Sequence, residues 1–264
     1  MFANKYIVNK VFDQNDDIVA SLFSDVILSE NPVIIKSIFF RKFTTEKNKI
    51  LLFIILCSLV YKYNSSFYET LDYWGQDKKR FNLYNIDNGD LVYSTFYFDN
   101  ILILTFKGTS SIKDFLIDCV FVRTTDKFIE GKVHKGFHGL LSKNFRYDNI
   151  IKMINEFPLD TKIFFTGHSL GAALATLMMA YSQKVLGERA ELVTFGCPRV
   201  GNSKFAASIK KSIRCVNRDD AVAKLPLPIR FTHTSTEKIL GKTTLFNFSL
   251  YDHFIDSYYN TISF

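Results

Sequence analysis

The stretch T-K-I-F-F-T-G-H-S-L-G-A-A-L-A-T, Thr161–Thr176, sets a β-branched and aromatic run directly against an alanine-rich helical pattern. Two glycines bracket a serine at the junction. Few folds accept such a junction, because the backbone must turn sharply while strand and helix stay in contact. Side chains crowd there, and glycine is the residue that fits. Lys162–Thr166 is expected to be a strand, and Ser169–Leu186 a helix closed by Gly187. With a strand before and a helix after, Gly167-His168-Ser169-Leu170-Gly171 reads as the G-x-S-x-G nucleophile elbow. Ala172, Ala173 and Ala175 let the helix lie close to the sheet. Its N-terminus directs backbone N–H groups at whatever binds beside Ser169.

Strands and helices alternate on both sides of this junction. Leu192–Phe195 and Ile213–Val216 read as strands, with a helix over Ser203–Lys211 between them. Upstream, Asp90–Phe98 and Ile101–Lys107 read as a hairpin turned at Asp99-Asn100. Ser142–Phe157 has helical spacing and ends at Pro158, and residues 16–40 and 45–63 are expected to be helical. The pattern implies an α/β fold: a mostly parallel central sheet flanked by helices, with an N-terminal helical extension. Such sheets carry their chemistry at the carboxyl ends of the strands. A length of 264 residues with 47% apolar content suits a single domain over 1–264 and excludes wholesale disorder.

Several function classes fall away. The 33 basic residues give a net charge of +7 but are spread along the chain, so no nucleic acid is expected; contact with an anionic membrane surface fits. Ile50–Val60 is apolar throughout, but 11 residues are too few to cross about 30 Å of hydrocarbon. It reads as a buried helix, and no transmembrane segment is expected. The N-terminus lacks a long apolar run and carries acids early, so no secretory signal is expected, and synthesis in the cytosol follows. Cys57, Cys119, Cys197 and Cys215 are far apart, with no metal-binding spacing and no disulfide framework. Neither a metal nor an organic cofactor is expected.

A serine hydroxyl needs a base to take its proton and an acid to orient that base. Of the five histidines, only His233 and His253 lie far enough beyond the elbow. Val216–Pro226 leaves a strand for a loop, and both Asp219 and Asp220 qualify there on position.

Further ordered segments narrow the reading. They are L-T-F-K-G-T-S-S-I-K-D-F (Leu104–Phe115), V-H-K-G-F (Val133–Phe137), the elbow, T-F-G-C-P-R-V-G-N (Thr194–Asn202), V-N-R-D-D-A-V-A-K-L-P (Val216–Pro226) and Asp252-His253. Together they resemble the fungal-type class 3 lipase family, a branch of the α/β-hydrolases, over about residues 90–260. The first 45 residues carry no such resemblance. The resemblance implies an α/β-hydrolase fold with Ser169 as nucleophile. It implies Asp220 as the acid, from a D-x-V-P-x-L-P pattern in which Ala223 replaces the first proline. It implies His253 as the base, from a D-H-x-x-Y-like pattern, and structural roles for His134, His168 and His233. The oxyanion that forms on ester attack would meet the backbone N–H of Leu170, after the nucleophile. The family's second donor is the residue after the glycine that ends the Ile101–Lys107 strand, here Thr109.

Ile112, Phe115, Leu116 and Cys119 fall at i, i+3, i+4 and i+7 behind a Ser111/Asp114 capping pair. They form one apolar stripe of a short helix. The resemblance makes residues 109–122 an interfacial lid, with Ile112, Phe115 and Leu116 facing Ser169 or lipid. The implied activity is hydrolysis of carboxylic esters of lipids, as a triacylglycerol or partial-glyceride lipase at a membrane or emulsion interface. The alternatives are a phospholipase A1-like or small-ester hydrolase, and a catalytically silent lipid-binding relative.

Overall fold

The computed structural model describes residues 27, 30–41, 43–63, 66–109, 122–217, 219–234, 236–241 and 249–263. The lid stripe of Ile112, Phe115 and Leu116, and Cys119 with it, lies outside the described residues. So do residues 1–26 of the expected N-terminal extension.

Among the described residues the first elements are helices α1 (Pro32–Arg41), α2 (Glu46–Val60) and α3 (Ser66–Tyr73). Strands β1 (Phe81–Ile86), β2 (Leu91–Phe98) and β3 (Ile101–Phe106) follow. After the short β4 (Arg123–Thr124) and β5 (Val133–His134) come helices α4 (Lys135–Ser142) and α5 (Arg146–Ile154). Then strand and helix alternate: β6 (Lys162–His168), α6 (Leu170–Leu186), β7 (Ala190–Phe195), α7 (Ser203–Ser208) and β8 (Ser212–Asn217). Strand β9 (Thr236–Leu240) and helix α8 (Ile255–Ser263) complete the described elements.

The main sheet runs β1-β2-β3-β6-β7-β8-β9. The first three strands pair antiparallel, and every pair from β3 to β9 is parallel. A mostly parallel sheet flanked by helices is the α/β architecture that the sequence leads one to expect. Register aligns the carboxyl ends that matter: Phe106 pairs with Gly167, and His168 with Phe195.

The period of two sorts the sheet's side chains between two cores. Leu102, Leu104, Ile163, Phe165 and Leu192 face the core under α4, α5 and α6. Ile103, Phe164, Val193 and Phe195 face the other, built with α1, α2 and α8. Helix α2 packs against the sheet, α8, α1 and α3, and all of Ile50–Val60 is buried. The Thr45 side chain starts it by accepting from Asn48 N–H at 3.1 Å.

Some boundaries differ from expectation. The Asp99-Asn100 hairpin forms with both residues at positive φ, 44° and 59°. The helix expected over 142–157 is divided at Asn144, whose φ of 51° breaks the helical path, and α4 precedes it. Helix α7 stops at Ser208, three residues before the expected end. The edge strands β1 and β9 escape periodicity because F-N-L-Y-N-I and T-E-K-I-L lack a clean apolar alternation.

Candidate active site

Strand β6 enters α6 through Ser169, whose φ of 58° and ψ of −124° lie outside the ordinary regions for an L-residue. The neighbouring strand helps hold this conformation: Ser169 N–H donates to the Phe195 carbonyl at 3.0 Å. Gly171 is required by proximity, since a Cβ there would stand 2.1 Å from the Phe106 carbonyl oxygen. The same contact brings the end of β3, and the Lys107-Gly108-Thr109 turn, against the start of α6. Leu170 opens that helix, so its N–H has no intrahelical acceptor.

Asp220 and His253 meet beside the elbow. Both Asp220 oxygens lie on His253 Nδ1, Oδ1 at 2.9 Å and Oδ2 at 2.8 Å, and both side chains are fully buried. A carboxylate only accepts, so Nδ1 carries a proton, and in the neutral ring Nε2 keeps its lone pair. The two chain segments are joined by backbone bonds: Ser249 N–H to the Asp219 carbonyl at 2.7 Å, and Ala221 N–H to the Ser249 carbonyl at 3.1 Å. Gly196 makes room for the pair at a φ of 57°; a Cβ there would fall 2.8 Å from Asp220 Oδ2 and 2.9 Å from His253 Nδ1.

Asp220 accepts two further bonds, from Ala223 N–H at 3.0 Å and from the Tyr258 hydroxyl at 2.6 Å. Burial works to raise its pKa. His253 and these two donors outweigh that and hold the carboxyl below its usual value. Tyr258 also accepts from Asn217 N–H at 3.1 Å, which ties α8 to the end of β8.

Ser169 Oγ and His253 Nε2 are both buried, and neither has a hydrogen-bond partner among the described residues. These are the two atoms that nucleophile–base chemistry requires to be uncommitted, although the bond between them is not formed here. Catalytic hydrogen bonds often tighten only with substrate bound.

The remaining histidines are engaged elsewhere. His168 lies under the elbow, its ring centroid 4.7 Å from that of His253. Burial and the neighbouring His253 lower its pKa to about 3. His134 caps α4 by accepting from Phe137 N–H at 3.4 Å and stacks on the Phe137 ring. His138 pairs with Asp126 at 2.8 Å. His233 is held at a pKa of about 3 by burial and the nearby Arg214 and Arg199.

Sequence reasoning thus named Ser169, Asp220, His253, Leu170 and Thr109. The structure joins Asp220 to His253 and brings the Thr109 turn to the elbow. It adds Tyr258, which sits five residues after His253 rather than three.

Comparison with known proteins gives a consistent picture. The family described as Lipase (class 3) matches residues 103–229. A secreted mono- and diacylglycerol lipase A of Penicillium cyclopium is 31% identical over 147 residues, 53% of this chain and 48% of that protein. A chloroplastic phospholipase A(1) of Arabidopsis thaliana is 44% identical over 84 residues, 29% of this chain and 18% of that one. In fold, the chain is similar to a triacylglycerol lipase whose catalytic centre is a serine-protease triad. That likeness has a TM-score of 0.64 and 23% identity, covering 79% of this chain and 92% of the other. The chain spans about half the length of the fungal relative it matches. No described helix is long and apolar enough to cross a membrane.

Proposed function

We propose that this chain, whose residues 103–229 match the family described as Lipase (class 3), hydrolyses carboxylic esters of lipids through a serine nucleophile. The observation that carries the reading is the Asp220–His253 contact, which leaves His253 Nε2 uncommitted beside the elbow that holds Ser169. In this scheme His253 Nε2 takes the Ser169 proton as Oγ attacks the ester carbonyl. Asp220 keeps the Nδ1 proton in place and stabilises the imidazolium. The oxyanion is met by the N–H groups of Leu170 and Thr109, each worth roughly 10²–10³ in rate. The proton passes from His253 to the departing alcohol, leaving an acyl-enzyme. Water then attacks, with His253 again as base.

Ser169 is fully buried, so an ester must gain access before it can react. We assign the cover to the stripe of Ile112, Phe115 and Leu116 in the connection after β3. Three large apolar side chains represent roughly 5–8 kcal/mol of burial. The protein supplies that burial when the cover is closed, and a lipid surface supplies it when open. The proposed substrates are triacylglycerols or partial glycerides at an interface, in keeping with the Penicillium relative. A phospholipase A1-like activity is the second reading, favoured by the Arabidopsis match and the +7 net charge.

An active-site fluorophosphonate tests the scheme. Intact protein should gain one adduct on Ser169, and Ser169→Ala should lose the adduct and on the order of 10⁶ in turnover while remaining folded. A wild-type protein that stays unlabelled beside a labelled control esterase would overturn the enzyme reading. His253→Ala should be far more damaging than His233→Ala. Neutral glyceride emulsions set against anionic phospholipid vesicles separate the two substrate readings.

A further inference from the structure

His168 Nε2 lies 2.6 Å from the His253 carbonyl oxygen, and its Nδ1 lies 3.1 Å from the Tyr61 hydroxyl. A carbonyl only accepts, so Nε2 carries the ring proton. Nδ1 then presents a lone pair, and Tyr61 must donate to it. The Tyr61 oxygen is left to accept, and it meets the backbone N–H of Gly108. The approach is close: a Cβ at Gly108 would stand 2.2 Å from that hydroxyl. The hydrogen-bond chain therefore has a single direction, from Gly108 N–H through Tyr61 O–H and the His168 ring to the His253 carbonyl. A doubly protonated His168 would donate from Nδ1 to the Tyr61 oxygen, turning the hydroxyl away and reversing that link. Burial holds the ring neutral, with a pKa of about 3.

The two ends of this chain matter. Gly108 precedes Thr109, the proposed oxyanion donor, and His253 is the proposed base. The link between them is the C-cap residue of α2, an element packed against the sheet. Lys107 reinforces the same corner. Its Nζ is 5.6 Å from the centroid of the Tyr61 ring and 4.8 Å from that of Tyr63, and it donates to the Gly108 carbonyl at 3.3 Å.

We propose, building on the active-site reading above, that Tyr61 is a positioning residue whose hydroxyl fixes the oxyanion turn and the His253 backbone in mutual register through His168. Tyr61→Phe removes one oxygen and keeps the ring with its cation–π contacts. It leaves Gly108 N–H and His168 Nδ1 without their shared partner. Because displacement of a catalytic group by an ångström costs on the order of 10²-fold, kcat should fall roughly 10- to 100-fold with KM little changed.

Two measurements separate positioning from mere support. Affinity for an alkyl boronic acid, which forms a tetrahedral adduct on serine, should fall with kcat in Tyr61→Phe. Affinity for a non-hydrolysable ether analogue of the substrate should not. Unchanged kcat and boronate affinity in the folded variant, or equal losses for both ligands, overturn the proposal. Should the variant fail to fold, ¹⁵N-histidine NMR of the wild-type protein decides. His168 should be the Nε2–H tautomer and should not titrate between pH 5 and 8; an Nδ1–H tautomer, or titration in that range, overturns it. Failure of the underlying enzyme reading is distinguishable, because wild-type Ser169 would then resist the fluorophosphonate.

Discussion

Ala223 stands where the D-x-V-P-x-L-P pattern has proline, and the exchange adds a donor that proline lacks. Its N–H reaches Asp220 Oδ1 at 3.0 Å and helps hold the carboxylate ionised in a fully buried place. This contact, with the Tyr258 hydroxyl, separates Asp220 from its neighbour Asp219, which position alone does not. At the same scale, Gly196 is a steric gate. A methyl group at this position would lie inside the contact distance of both Asp220 and His253, in a backbone at φ 57° that disfavours any side chain. Gly196→Ala should lower kcat by roughly 10²-fold through displacement of the pair, and stability by about 1–3 kcal/mol through strain. Turnover kinetics beside urea denaturation check this. A folded variant with wild-type kcat would mean that the Asp220–His253 contact is not used in catalysis.

Among the elements, α2 explains why an 11-residue apolar run needs no bilayer. The sheet, α8, α1 and α3 surround it, and its side chains are buried on every face. Phe53 shows the packing. Its ring meets Phe164 of β6 at 5.3 Å and Phe43 at 5.7 Å, both edge-on. Phe53→Ala should cost about 3–5 kcal/mol in urea unfolding. Phe40→Ala, at a side chain 87% exposed, should stay within about 0.5 kcal/mol. Similar small losses at both positions would place α2 away from the core.

Much of this level was legible in the sequence. The elbow, the Asp99-Asn100 hairpin and the three central parallel strands follow from turn chemistry and short apolar runs. Strands β1 and β9 were not legible, because edge strands with one wet face tolerate Asn, Glu and Lys. Nor was the break at Asn144, since only the left-handed φ shows it. Tyr258 was within view but off the expected spacing. It reaches Asp220 because α8 begins at Ile255 and brings position 258 back over the carboxylate.

At the scale of the whole molecule, the site joins the two sides of the sheet. Ser169 opens α6 on one side, while His253 precedes α8 and Tyr61 follows α2 on the other. We therefore propose that residues 1–264 unfold as one cooperative unit, and pH is the lever that reports it. His168 and His233 are each neutral in the folded protein down to about pH 3, whereas an unperturbed ring takes its proton near 6.5. Between these values the unfolded chain binds more protons than the folded one. Unfolding free energy must then fall as pH falls, by about 1.4 kcal/mol per pH unit for each ring. Asp220 acts with the same sign lower down. Its folded pKa lies below the usual 3.8, so its contribution is complete above that value and lost as pH drops through the folded one. Urea titrations should give a single transition whose midpoint is lower at pH 4.5 than at pH 7.5, with an unchanged m-value. His233→Gln should make the midpoint less sensitive to pH over that interval, because one of the two buried neutral rings is gone. A midpoint that stays level from pH 6.5 to 4 would mean these rings are already protonated in the fold, and the one-directional hydrogen bonding of His168 could not stand.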